Sequence, residues 1–130
     1  MRRYGDAADD PAIYVPRDPA QPPLILGTDK REGLAVYSLD GELLQMLPVG
    51  RVNNVDLLTD VVLGDATLDI AAASNRSGNS ISLFEIVDGR VRHLSDLPTT
   101  LDEVYGLCMY GSASGTYVFI NDTDGRYQQY

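Results

Sequence analysis

A weak repeat with a period of about 46 residues constrains the fold of this chain more than any other feature. In each copy a short apolar run ends in a polar loop, at residues 24–30, 70–76 and 117–123. Lys30, Arg76 and Thr123 occupy the same place in the three copies. A period of this length is typical of the four-stranded blades of β-propellers and of stacked solenoid units. The sequence therefore predicts consecutive units of similar structure.

Two further registers agree with this period. Asp10, Asn54 and Glu103 begin the segments that precede the three runs, at intervals of 44 and 49 residues. Asp40-Gly41 and Asp88-Gly89 each follow an apolar run, and they lie 48 residues apart. Asp-Gly between apolar runs is a strong hairpin signal, because both turn residues must accept positive φ. No window of a dozen residues keeps a helical period, so we predict an all-β protein.

The predicted architecture is a partial β-propeller. Closed propellers have about four to eight blades of four strands, and 130 residues hold about two and a half such blades. Residues 1–130 are therefore expected to be the N-terminal fragment of a single propeller domain. A small complete β-sandwich of about ten strands is the alternative that the pattern leaves open.

The balance of charge argues against nucleic acid as a partner. The chain has 19 acidic and 10 basic residues, a formal net charge of −9, whereas phosphate backbones are held mainly by clustered Lys and Arg. No apolar run approaches the ~20 residues that span a bilayer, so no membrane partner is expected either. The acidic excess suits a protein that binds cations.

The placement of the acidic residues at equivalent points of the repeat predicts a cation site. First strands of propeller blades converge on a central channel, so Asp9-Asp10, residues 53–56 and Asp102-Glu103 would direct oxygen atoms toward a common axis. Hard cations such as Ca²⁺ take about six to eight oxygen ligands. Lys30-Arg31 and Arg76 would lie on the same face and could bind a polyanion beside the cation. Scattered, solvated surface charge is the other interpretation.

These residues lie in strings that resemble the β-propeller phytases, the calcium-dependent 3-phytase type. The matching strings are residues 9–15, 27–30, 33–37, 50–56, 69–77, 103–107 and 124–130. The resemblance implies a six-bladed propeller that hydrolyses phytate, myo-inositol hexakisphosphate, through attack of a calcium-activated water on a phosphate. It also implies an extracellular or periplasmic protein, although no signal peptide is visible in this chain.

The resemblance also implies particular site residues. Those expected to bind substrate phosphates are Lys30, Arg31, Arg76, Tyr105 and Asp124. Those expected to hold a calcium ion are Asp10 through its carboxylate, and Pro11 and Val55 through their main-chain carbonyls. Thr123-Asp124 stands where family members carry a Lys-Glu pair, so this chain keeps the carboxylate and loses a cation there.

No catalytic residue is assigned within the chain, because the resemblance places several acidic ligands of the catalytic calcium cluster in later blades. We expect little or no activity from this chain alone. Two other functions stay open: a non-catalytic propeller module that binds a ligand, and a structural calcium-binding domain with solvated cations. Cys108 is predicted to be a buried, unreactive thiol. The sequence leaves the oligomeric state open.

Overall fold

A computed structural model describes residues 7–130, and every helix or strand assigned in this range is a β-strand. The strands are β1 Ala8–Tyr14, β2 Leu24–Asp29, β3 Gly33–Tyr37, β4 Leu43–Leu47, β5 Val52–Leu63, β6 Ala66–Asn75, β7 Ser80–Val87, β8 Arg90–Pro98, β9 Val104–Ser112, β10 Gly115–Asp122 and β11 Tyr127–Gln129. Within the described range, no helix is long and apolar enough to cross a membrane. The all-β prediction is confirmed.

The strands form three antiparallel sheets that follow one another along the chain. The first contains β1 to β4 and the second β5 to β8, each in sequential order; the third contains β9, β10 and β11. β5, the first strand of the second sheet, packs against both β1 and β9, the first strands of its neighbours. Serial meanders with adjacent first strands are the arrangement of propeller blades, so the partial propeller is confirmed and the two-sheet sandwich is excluded. The third sheet has three strands in the described range, one more than half a blade.

Each sheet carries the same β-bulge between its first two strands. The register shifts at equivalent points on the first strand, between Ala8 and Pro11, between Val52 and Val55, and between Val104 and Leu107. Each shift leaves one extra residue on the first strand, which bends it. These three bulges lie at the same end of their sheets.

Strand pairing corrects one alignment that the sequence pattern predicted, that of the first strands of the sheets. Strand pairing makes Asp10, Asn54 and Gly106 equivalent, whereas the sequence pattern aligned Glu103 with the first two. The alignment of Glu103 was wrong because Asp102 and Glu103 lie in the connection before β9 and not within the strand. Ala8, Val52 and Val104 are the equivalent positions before the three bulges, and they lie 44 and 52 residues apart, so the first strands are spaced less evenly than the sequence pattern implied.

The second sheet is covered on both faces. Side chains of β6 and β7 alternate, so that Ala71, Ala73 and Phe84 pack against the first sheet, whereas Ala72 and Ile81 pack against the third. A strand buried on both faces reads as a continuous apolar run, which explains the sequence of residues 70–73.

The two Asp-Gly hairpins differ. Asp88 and Gly89 between β7 and β8 both have positive φ, 51° and 73°, as predicted for a two-residue turn. In the β3–β4 connection Gly41 has a φ of 83°, but Asp40 is not in the positive range. This connection is a longer loop closed by a hydrogen bond from the Ser38 amide to the Glu42 carbonyl, at 3.0 Å.

Cys108 is exposed, so the prediction of a buried thiol was wrong. Its neighbours Leu107 and Met109 on β9 pack toward the middle sheet. Strand alternation therefore places Cys108 on the opposite face of the third sheet.

Candidate functional site

The predicted site residues lie at one end of the three sheets. There, the loop after the second strand of each sheet runs beside the start of the first strand. Three equivalent backbone hydrogen bonds make this contact: from Lys30 to the Ala7 carbonyl (2.8 Å), from Arg76 to the Arg51 carbonyl (2.8 Å) and from Thr123 to the Glu103 carbonyl (3.1 Å). The structure thus confirms that Lys30, Arg76 and Thr123 are equivalent positions of the repeat.

A buried carboxylate or amide precedes each of these three residues and shapes its loop. Asp29, Asn75 and Asp122 are each at most 3% exposed. Their Oδ1 atoms accept hydrogen bonds from the amide two residues ahead, at 2.9, 3.0 and 3.1 Å. These are Asx turns, which close a loop through a side chain in place of a backbone carbonyl. Sequence analysis did not assign this role, although Asp or Asn at the end of each apolar run was the available signal.

Carboxylates lie beside the two cations that end the first and second copies. The Lys30 Nζ lies 3.4 Å from the Asp9 Oδ1, and Arg76 pairs with Glu103. Both cationic side chains are partly exposed, at 24% and 32%. A side chain held in this way is oriented but remains accessible to an anion from solvent.

The third copy replaces the cation with a hydroxyl. Thr123 Oγ1 donates to Glu103 Oε2 at 3.2 Å, so Glu103 contacts both Arg76 and Thr123. The carboxylate of Asp124 is held by Arg126, whose Nε lies 2.8 Å away. Arg126 was missed by the sequence analysis, because nothing in its local sequence marks it as a partner of the loop acids.

Several hydrogen bonds hold the carboxylate of Asp122 in its ionised form. Its pKa is lowered from 3.8 to about 2, first because the Glu103 amide donates to it, and also because the Asp124 and Asp102 amides and the Thr123 hydroxyl do. Arg126 also contacts it, at 3.3 Å. The pKa of Arg126 is raised by its bonds to Asp102 and Asp124. Hydrogen bonds to ionised carboxylates therefore hold the third loop together.

The remaining predicted phosphate-binding residues lie on the same end of the sheets. Arg31 follows Lys30 in the β2–β3 loop and its side chain is exposed. Tyr105 lies in the bulge of β9, two residues after Glu103, and is 47% exposed. The five residues predicted to bind phosphate thus come from all three sheets and lie at the same end of them.

Two of the predicted calcium ligands come into direct contact. Asp10 Oδ2 accepts a hydrogen bond from the Val55 amide at 3.0 Å, which links β1 to β5. Pro11 follows Asp10 in the bulge of β1. In the described part of the chain, no three His, Cys, Asp or Glu side chains converge as a metal cluster. The predicted set, one carboxylate and two backbone carbonyls, stays a prediction.

The residues around Asp10 suit a hard cation. Among residues 7–130, hydrogen bonding to the Asp10 carboxylate involves Oδ2, which leaves Oδ1 for a ligand. Asn53, in the adjoining bulge of β5, is 1% exposed, and neither atom of its side-chain amide has a hydrogen-bond partner within the described part of the chain. Buried polar atoms without partners are uncommon, and amide oxygens are ligands that Ca²⁺ accepts.

A sequence model of the phytase family matches residues 2–130. The chain belongs to the phytase family. Among curated proteins it is similar to the 3-phytase of Bacillus subtilis (strain 168), with 38% identity over 135 residues. That match covers 96% of this chain and 35% of the relative, so the phytase-family chain spans about a third of the relative's length.

Proposed function

We propose that this phytase-family chain forms part of a calcium-dependent enzyme that hydrolyses phosphate monoesters of phytate. The observation that carries the proposal is the arrangement at this end of the sheets, where equivalent turns of successive sheets present Lys30 and Arg76 beside carboxylates. Phytate is a small polyanion, and cations at a regular spacing complement its phosphate groups. Family membership and the similarity to a 3-phytase support this substrate class.

In this proposal the cations bind phosphate oxygens by exchanging partners. Arg76 would release Glu103 and donate two parallel hydrogen bonds to a phosphate, which its planar guanidinium favours. Lys30 would act as a point charge beside Asp9, and Arg31 would add a second cation on the same loop. Tyr105 would donate its hydroxyl to a phosphate oxygen, and Asp124, held by Arg126, would accept a hydrogen bond from a protonated phosphate oxygen of the substrate.

Calcium is the proposed cofactor. When bound, it would supply a water of lowered pKa and neutralise charge that develops on the phosphate. Asp10, with the carbonyls of Pro11 and Val55, would hold one ion at the boundary between the first two sheets. The carboxylates of Asp9 and Glu103 would keep Lys30 and Arg76 in place until an anion arrives. We further propose an extracellular or periplasmic location, on the basis of family membership.

A second candidate function is a non-catalytic module that binds a ligand. Thr123 favours it, because the third turn offers a hydroxyl bound to Glu103 where the first two turns offer a cation. Such a module would bind phytate more weakly and release no phosphate. The two functions differ in turnover.

The decisive experiment measures phosphate release from phytate with calcium and with a chelator. We would compare the 130-residue chain with a chimera in which it replaces the matching third of the Bacillus subtilis 3-phytase. We expect calcium-dependent release from the chimera and little from the chain alone. A folded chimera that binds phytate without releasing phosphate would favour the binding module. A folded chimera that neither binds nor hydrolyses phytate would overturn both functions.

A further inference from the structure

A buried hydroxyl links the second sheet to the third beside the candidate phosphate site. Ser74, at 0% exposure, lies near the end of β6, two residues before Arg76. Its Oγ accepts a hydrogen bond from the Asn54 amide at 3.0 Å and donates one to the Tyr105 carbonyl at 2.6 Å. One atom therefore connects the bulge of β5 to the bulge of β9.

The same device joins the first sheet to the second. Thr28 Oγ1 accepts a hydrogen bond from the Asp10 amide at 2.9 Å and donates to the Asn53 carbonyl at 2.7 Å. Thr28 is equivalent to Ser74, since each lies one residue before the Asx-turn residue that ends its strand. Because the same pair of hydrogen bonds recurs at equivalent points of two sheet boundaries, we regard it as a structural feature of the repeat.

The equivalent residue of the third sheet makes the hydrogen bond that stays within its own sheet. Asn121 occupies the equivalent place in β10, and its Oδ1 accepts a hydrogen bond from the Gly106 amide at 2.6 Å. Accepting from the bulge amide is therefore common to all three sheets. Donating to the next bulge is the part that fixes one sheet relative to its neighbour.

We propose that Ser74 is a positioning residue that sets Tyr105 against Arg76. Arg76 belongs to the second sheet and Tyr105 to the third, so their relative position depends on how the two sheets meet. The Ser74 hydroxyl bonds directly to the backbone of Tyr105, and Ser74 lies near the end of β6, the strand that leads into the loop of Arg76. This inference rests on the proposed function, because it assumes that both side chains bind one polyanion.

The chemistry of the position restricts its substitutes. A hydroxyl accepts and donates at once, whereas alanine would leave the Asn54 amide and the Tyr105 carbonyl without this partner. Threonine would restore both bonds, as Thr28 does at the first boundary. Ser38 supplies a control at the opposite end of the first sheet, where its hydroxyl accepts a hydrogen bond from the Glu42 amide at 3.2 Å in the β3–β4 loop.

The test is calorimetric titration of phytate, in calcium, into the full 130-residue chain and its variants. We expect Ser74→Ala to weaken binding about tenfold, the scale of one lost hydrogen bond. Ser74→Thr should bind as the unmodified chain does, and Ser38→Ala should change affinity less than twofold. Thermal melting of each variant confirms that it is folded at the titration temperature.

A double-mutant cycle separates positioning from general destabilisation. If Ser74 acts through Tyr105, Ser74→Ala should have no further effect on affinity in a Tyr105→Phe background. Additive losses in the double variant, or equal affinity in the folded Ser74→Ala chain, would overturn the positioning role while leaving the proposed function intact. An unmodified chain that does not bind phytate would instead overturn the proposed function, and the positioning role with it.

Discussion

Single buried side chains at the strand ends set the geometry of this site. Each of the three sheets has an Asx turn there, closed by Asp29, Asn75 or Asp122, and the turn places the following residue at the site end of the sheets. Because these side chains are buried, their positions are determined by the sheet and not by solvent. The functional side chains that follow them inherit that order.

Arg76 is the residue whose removal should most affect phosphate binding. In the chimera with the Bacillus subtilis relative, we expect Arg76→Ala to reduce kcat/KM for phytate. The reduction should correspond to a loss of about 1.5–3 kcal/mol in transition-state stabilisation, the scale of hydrogen bonds to charged groups. Arg76→Lys should recover part of this loss, because it keeps the charge but not the planar pair of donors. Arg90→Ala, an exposed arginine at the opposite end of the second sheet, is the control and should leave the rate unchanged. Equal rates for Arg76→Ala and the control would remove Arg76 from the site.

Asp122 should make stability depend on acid pH. Its folded pKa of about 2 lies below the ordinary 3.8, so its ionised form stabilises the fold above pH 3.8 and this contribution is lost as pH falls toward 2. We expect Asp122→Asn to lower the Tm at pH 6 and to converge with the unmodified chain near pH 2.

Thermal melts from pH 7 to pH 2 measure this difference. Asp65→Asn, a substitution in the exposed β5–β6 turn, serves as the control and should follow the unmodified chain at every pH. A gap between Asp122→Asn and the unmodified chain that stays constant down to pH 2 would contradict the assignment.

At the level of elements, side chains tie each strand to the neighbouring sheet as well as to its own. Asp10 accepts from the Val55 amide, and Asp56 accepts from the Met109 amide at 2.7 Å. Such bonds are possible because β5 and β9 are each the outermost strand of their sheet, so backbone amides on their outer side have no strand partner within that sheet. The first strands therefore form the connected centre of the described structure.

Gln45 makes the corresponding link between outer strands. Its side-chain amide donates to the Val91 carbonyl at 3.0 Å and accepts from the Val91 amide at 2.8 Å, which joins β4 to β8. We expect Gln45→Ala to lower the free energy of unfolding by about 1–3 kcal/mol, since both Val91 groups lose this partner. Urea titration measures the change. Gln129→Ala, on the exposed strand β11, is the control, and an equal effect there would contradict the link.

On the scale of the whole molecule, calcium should stabilise the boundary between the first two sheets. Asp10→Asn keeps an acceptor for the Val55 amide but removes the charge that the proposed ion needs. A ligand that binds the folded state raises Tm with its concentration. We therefore expect the unmodified chain to melt at a higher temperature in calcium than in chelator, and Asp10→Asn to lose most of that rise.

Comparing Asp10→Asn with Asp10→Ala isolates the metal from the hydrogen bond. In chelator the alanine variant should melt below the asparagine variant, because the Val55 amide loses its acceptor. An undiminished calcium-dependent rise in Asp10→Asn would exclude Asp10 as a ligand.

The local pattern of the chain was sufficient to predict an all-β fold of repeated units and the equivalence of Lys30, Arg76 and Thr123. Apolar alternation and turn chemistry depend on residues close in sequence, and a period near 46 residues appears when segments of the sequence are compared. All three can therefore be read without the fold. Tertiary structure decided which residues meet across sheets: Arg76 with Glu103, and Ser74 with Tyr105. It also decided the exposure of Cys108. These contacts depend on three bulges and on how sheets pack, and a bulge changes the register of a strand without changing the kind of residues in it.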